Sequence, residues 1–201
     1  MAEKYVVTIS RQFGSLGRPI ARKLSEILGI DYLDRDIVEE TAKRMDLPVS
    51  KIDQEEEAVK SRFLGMVYPL GIGRPGLKDE IFNVQKNIIH DYAKKDSCII
   101  VGRCAEYILA NHPNVLKVYI YASYETRLKN CVESLGLEEK EAKEMMQEVD
   151  SARENYHKLY VAGYKTPFDY HDLCIDSGKF GVDGTAELIA DIVRKNLCGA
   201  K

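Results

Sequence analysis

Apolar residues along the chain fall into two kinds of run. Short, continuous, mostly β-branched stretches occur at Tyr5-Val6-Val7-Thr8-Ile9, Cys98-Ile99-Ile100-Val101, Leu116 to Tyr121 and Leu173 to Asp176, with a briefer one at Asp31-Tyr32-Leu33. Unbroken apolar runs of this length, rather than strict alternation, suit strands covered on both faces of a parallel sheet. Between them the apolar positions change to a spacing of three and four. Ile20, Leu24, Ile27 and Leu28 form one such stripe, closed by Gly29. Ile81, Val84, Ile88, Ile89 and Tyr92 form another, and Leu188, Ile189, Ile192 and Val193 a third. That spacing gathers them on one helix face. Strands alternating with helices predict an α/β fold on a doubly wound parallel sheet.

Two stretches depart from the alternation. Residues 36–95 read as a helical insertion without a convincing strand, interrupted by the loop Gly71-Ile72-Gly73-Arg74-Pro75-Gly76. Residues 136–169 read as a charged helical lid that carries Arg153, Lys158 and Lys165. Insertions at the strand ends of a parallel sheet are where such folds keep parts that close over a ligand. The plainer alternative for each is a pair of surface helices. Tyr156, Tyr160 and Tyr164 share one helix face and are expected to pack against the domain rather than on a base.

Composition narrows the possibilities. A length of 201 residues suits one domain over 1–201. The net charge of -3 argues against nucleic acid as a general partner. No apolar run approaches the ~20 residues of a membrane span, and the N-terminal run is too short and wrongly flanked for a signal peptide. Five cysteines without a C-x-x-C pair suit reduced thiols in the cytoplasm, and the histidines show no zinc spacing, so no metal held by the protein alone is expected.

The stretch with chemistry in it runs from Val7 to Ile20 and reads strand, glycine-bearing loop, helix. Gly14 and Gly17 allow a tight turn and close approach of an anion. A helix beginning near Pro19 directs its dipole at the same point, and Arg18 adds a forked charge. Gly14, Ser15, Leu16, Gly17 and Arg18 are therefore the candidate phosphate cradle. Set against the Walker pattern G-x-x-x-x-G-K-[ST], Gln12 stands at the first glycine and Arg18 at the lysine. Neither Pro19 nor Ile20 offers a hydroxyl for magnesium. A plain strand-to-helix turn with an exposed arginine is the alternative.

I-S-R-Q-F-G-S-L-G-R-P-I followed by G-I-D-Y-L-D-R-D-I-V resembles the opening of the cytidylate kinase-like proteins, relatives of the P-loop nucleoside-monophosphate kinases. The resemblance continues through Ile99 to Leu109, Val118 to Ser123, Glu125 and Arg127, Arg153 to Tyr156, and Tyr170 to Ser177. It implies a kinase that moves the ATP γ-phosphate to a nucleoside monophosphate or a similar small acceptor. Small nucleotides would be its partners, and magnesium would be held mainly by phosphates and water with help from Ser15 or Asp36. Arg18 would grip the donor, Arg127 would line the nucleotide, and Arg153 would cover the reacting group. Arg103 and the segment Asp34-Arg35-Asp36 would take the acceptor. On local grounds Asp34 suits an N-cap better than a ligand contact, as does Ser123. A nucleotide-binding regulator without turnover, and a kinase for a non-nucleotide metabolite, stand as alternatives.

Overall fold

The computed structural model describes residues 4–50, 52 and 76–198. Five strands, β1 (Val6–Arg11), β2 (Asp31–Leu33), β3 (Cys98–Val101), β4 (Val115–Tyr121) and β5 (Leu173–Asp176), lie in the order β2-β3-β1-β4-β5. Every pairing is parallel. β1 is therefore central, with Ile9 beside both Val101 and Val118. It runs two residues beyond the apolar stretch, because the sheet register carries on through Ser10 and Arg11.

The described helices are α1 (Gly17–Leu28), α2 (Arg35–Met45), α3 (Leu77–Lys95), α4 (Ala105–Ile108), α5 (Tyr124–Glu133), α6 (Glu139–Tyr160) and α7 (Ser177–Asn196). Helix α1 begins at Gly17, two residues earlier than Pro19, and ends at Gly29, whose φ of 64° suits glycine and whose N–H reaches Ser25 O at 2.8 Å. Ser123 caps α5 by accepting from Thr126 N. Asp34 does not cap α2. Its side chain makes no cap hydrogen bond because arginines elsewhere in the fold claim the carboxylate.

One face of the sheet, with Val7, Ile9, Ile99, Val118 and Ile120, is buried beneath α1 and α7. The other, with Val6, Leu33, Cys98 and Ile100, lies beneath α2, α3 and α4. Helices on both faces make the sheet doubly wound. A third apolar cluster joins Phe13, from the loop after β1, to Cys131 of α5 and Ala142, Met145, Met146 and Val149 of α6. Of the expected loop at 71–76, all but Gly76 lies outside the described residues, as do 51 and 53–70 of the insertion.

Candidate active site

The loop between β1 and α1 is held from outside. Arg127 Nη1 donates to Phe13 O at 3.2 Å, Asn130 Nδ2 to Gly14 O at 2.9 Å, and Ser177 Oγ to Ser15 O at 2.8 Å. Three consecutive carbonyl oxygens are thus drawn toward α5 and α7. Withdrawing those negative ends leaves the concave side to the opening of α1, where a helix presents N–H groups and the positive end of its dipole. Gly14 has a φ of 76°, and a Cβ there would come within 2.8 Å of Arg127 O. The concavity is a cavity of about 60 Å³ between Arg11 and Pro19, with Arg153 at its rim. That is the share of about two liquid waters. Ser15 does not face it, because its hydroxyl donates to Gln12 O at 2.9 Å and to Ile120 O at 3.2 Å.

Beside the loop, arginines gather around one carboxylate. Arg18 Nε lies 2.5 Å from Asp34 Oδ2, and Arg103 Nη1 lies 3.4 Å from Asp34 Oδ1. Tyr32 donates to the same carboxylate at 3.2 Å. Burial alone would raise the Asp34 carboxyl, but Arg11, Arg103 and Arg18 together hold it below its ordinary range. Arg103 is aimed inward by an unusual turn: Gly102, Arg103 and Cys104 have φ of 78°, 57° and 52°. Non-glycine residues rarely adopt that left-handed conformation, and where they do it is often at a functional site.

Arg11 ends β1 in the middle of this group. Burial first, and then the charges of Arg153, Arg18 and Arg103, pull its guanidinium down to about 9, with Asp34 opposing. Arg153 arrives from α6 and donates through Nη1 to Arg11 O at 2.9 Å.

A larger cavity of about 370 Å³ opens beneath the second half of α6. Arg11, Gly102, Arg103 and Arg153 line one side, and Tyr119, Tyr164, Phe168 and His171 another. Its wall includes the half-buried His157, whose Nε2 lies 2.9 Å from Oε1 of the buried Glu106 behind it, and Ser10 Oγ donates to Glu106 Oε2 at 3.0 Å. Nδ1 of His157 lies 2.8 Å from Arg153 O, so both ring nitrogens face acceptors and the imidazolium satisfies both. Burial works against that charge, yet Glu106 raises the imidazole above its usual value, while His157 lowers Glu106 against its own desolvation. The Cys104 thiol beside them is kept neutral by burial. Across the cavity α6 meets α3. Tyr160 stacks on Phe82 with ring centroids 3.9 Å apart, and Tyr156 packs edge-on to the same ring.

The profile of the cytidylate kinase-like family matches residues 6–179, which takes in the loop, the arginines and the lid helix. The chain belongs to the cytidylate kinase-like family. It is 25% identical over 157 residues to the cytidylate kinase of Thermoplasma acidophilum, covering 77% of this chain and 74% of that protein. Against the cytidylate kinase of Methanosarcina acetivorans it is 28% identical over 120 residues, 57% of this chain, and spans 63% of that protein's length. Among solved structures, an uncharacterized protein from Eubacterium ventriosum superposes with a TM-score of 0.73 at 29% identity, over 96% of this chain and all of that one. Shikimate kinase from Acinetobacter baumannii gives 0.53 at 11% identity, over 96% and 94% of the two chains, a likeness of the P-loop kinase fold alone.

Within this cytidylate kinase-like frame the expected residues separate into two groups. Gly14, Leu16, Gly17, Arg18, Asp34, Arg103 and Arg153 come together around the two cavities. Arg127 stands behind the loop, bonded to Asp150 and Phe13 O. Arg35 and Asp36 are exposed on α2, where Arg35 Nε lies 3.9 Å from Glu39. Among the described residues, the oxygen groups expected to help magnesium are engaged elsewhere or turned away from the crevice. The Ser15 hydroxyl is turned inward, Asp36 faces solvent, Asp34 is taken by arginines, and Asp150 accepts from Phe13 N and Arg127. The sequence reading overlooked Arg11, Glu106 and His157.

Proposed function

We propose that this cytidylate kinase-like protein is a phosphotransferase that moves the γ-phosphate of ATP to a nucleoside monophosphate or a similar small phosphorylated acceptor. The observation that carries this reading is the convergence of Arg11, Arg18, Arg103 and Arg153 on one crevice, with the buried carboxylate of Asp34 among them. Phosphoryl transfer asks little covalent chemistry of a protein. It needs charge neutralisation, alignment of the two reactants and exclusion of water. In this reading Arg18 and the loop hold donor phosphates and Arg103 the acceptor phosphate. Arg153 covers the group in transit, while α6 shuts out solvent by resting on Phe82. Any magnesium comes with the nucleotide's own phosphates, since the site lacks the hydroxyl that would hold it.

A second reading is favoured by Pro19 and Ile20, which deprive the loop of an N–H and a hydroxyl. It is a nucleotide-binding regulator that closes without chemistry. Coupled ADP release measured across a panel of nucleoside monophosphates separates the two. Turnover with one of them is the expected result. Tight ATP binding by calorimetry with no turnover on any acceptor would overturn the kinase in favour of the regulator.

A further inference from the structure

Arg11 is the arginine to which the resemblance assigns no role, and its surroundings are the most specific in the site. Its side chain leaves the end of β1 and runs between two glycines on different elements. A Cβ on Gly17 would come within 2.8 Å of Arg11 Cβ and Cγ, and one on Gly102 within 2.5 Å of Arg11 Nη1. Gly17 lies inside α1 and is not among the residues with positive φ, so what it contributes is the missing side chain. The two glycines clear a channel, and Arg11 fills it.

No described residue forms a hydrogen bond or ion pair with the Arg11 guanidinium, although Asp34 is engaged by both Arg18 and Arg103 close by. A guanidinium held among three others without a carboxylate of its own is costly unless an anion joins it. Arg11 also has an informative position. It lines the small cavity inside the loop and the large cavity beneath α6, and among the described arginines only Arg153 does the same. Arg18 lines the small cavity and Arg103 the large one. The two shared arginines, with Gln12 between them in both walls, mark the passage between the cavities.

We propose that Arg11 binds the phosphoryl group at this passage, contacting a phosphate chain in the loop and the acceptor's phosphate together, alongside Arg18 at the lysine position. The proposal rests on the kinase reading for the transfer step, whereas the anion contact stands independently of it. In the transfer, a deprotonated oxygen of the acceptor phosphate forms a bond to the γ-phosphorus. The bond from that phosphorus to the β–γ bridging oxygen breaks, and its electron pair leaves with ADP. Arg11 keeps its protons and donates hydrogen bonds to the oxygens on which charge collects.

The test uses the whole chain with Arg11→Gln, which keeps most of the length in the channel, and Arg11→Lys, which keeps the charge. Inorganic tripolyphosphate is the binding probe, followed by calorimetry, with ADP release measured alongside. Arg11→Gln is expected to weaken tripolyphosphate about tenfold or more, the size of a charge-assisted hydrogen bond, with Arg11→Lys intermediate. Turnover should fall by about 10² or more in Arg11→Gln, while the melting temperature without anion stays level or rises, since a like charge has been removed. A merely structural side chain would give the opposite pattern, with a lower melting temperature and unchanged anion affinity. Tripolyphosphate binding equal to wild type in Arg11→Gln overturns the proposal, as does a wild type that does not bind tripolyphosphate. If wild type binds the probe but turns over no acceptor, the kinase reading fails alone, and a tenfold loss in Arg11→Gln still supports the anion contact.

Discussion

Arg153 Nη1 donates to the main-chain oxygen of Arg11 across 2.9 Å, which joins the lid helix to the last residue of the central strand. The guanidinium therefore stands at the rim of the loop cavity before any ligand arrives. In a transferring enzyme an arginine so placed acts mainly on the charge that spreads over the equatorial oxygens in the transition state. Arg153→Ala is expected to leave ATP affinity within a few-fold and to lower kcat by about 10³. Calorimetry and ADP release on the same preparation check both halves. Unimpaired turnover would remove Arg153 from the mechanism.

Arg18 differs from Arg153 in what it already holds. Its Nε is committed to Asp34, so a phosphate would meet an arginine already held in place by a carboxylate. Arg18→Ala should weaken ATP severely, by about 1.5–3 kcal/mol, and Arg18→Lys only in part. Equal affinity of wild type and Arg18→Ala would show that the loop holds the donor without it.

Asp34 is the counter-charge for Arg18, Arg103 and the nearby Arg11, so removing its charge has a double effect. Asp34→Asn should destabilise the free protein by about 3 kcal/mol, as breaking a buried ion pair does, and should make added pyrophosphate raise the melting temperature more than it does for wild type. Thermal melts with and without pyrophosphate read both. The sign with pH follows from the lowered carboxyl. The stabilisation is present above the ordinary value of 3.8 and is lost as pH falls below it.

These arginines also show how much was legible in the sequence. The strands at 98–101 and 173–176, the stop at Gly29 and the cap at Ser123 lie where pattern and local chemistry place them. Each is decided by neighbours a few residues away. Asp34 departs from its local choice, because capping α2 loses to guanidiniums from α1 and the turn after β3. Ser15 sits in a phosphate-loop position, but its hydroxyl meets Ile120, 105 residues later. Arg11 stands one residue before the stretch that aligns with a Walker loop, and only the assembled sheet shows what surrounds it. Glu106 and His157 are 51 residues apart and follow no known spacing.

The Glu106–His157 pair has a pH window of its own. His157 is raised from 6.5, so its contribution is complete below that value and disappears as pH climbs through the folded value. Glu106 is lowered from 4.5, so its contribution is present above 4.5 and disappears as pH falls. The contact between α6 and α4 should therefore be strongest between about 4.5 and 6.5. The melting temperature of wild type minus that of His157→Gln, followed from pH 4 to pH 9, should peak inside this window and shrink on the alkaline side. A difference that is flat with pH would show that His157 is neutral in the folded protein.

The left-handed turn Gly102-Arg103-Cys104 sets two effects against each other. Holding Arg103 and Cys104 at positive φ costs on the order of 1–3 kcal/mol apiece, and the turn persists because the surrounding packing imposes it. Glycine or asparagine at position 103 would relax the backbone, but either would also break the buried pair of Arg103 with Asp34. The same exchange would remove the group aimed at the larger cavity. Backbone strain and ion pair thus sit on opposite sides of one balance, and the residue at 103 is fixed by a carboxylate at the end of the neighbouring strand as much as by the turn that carries it.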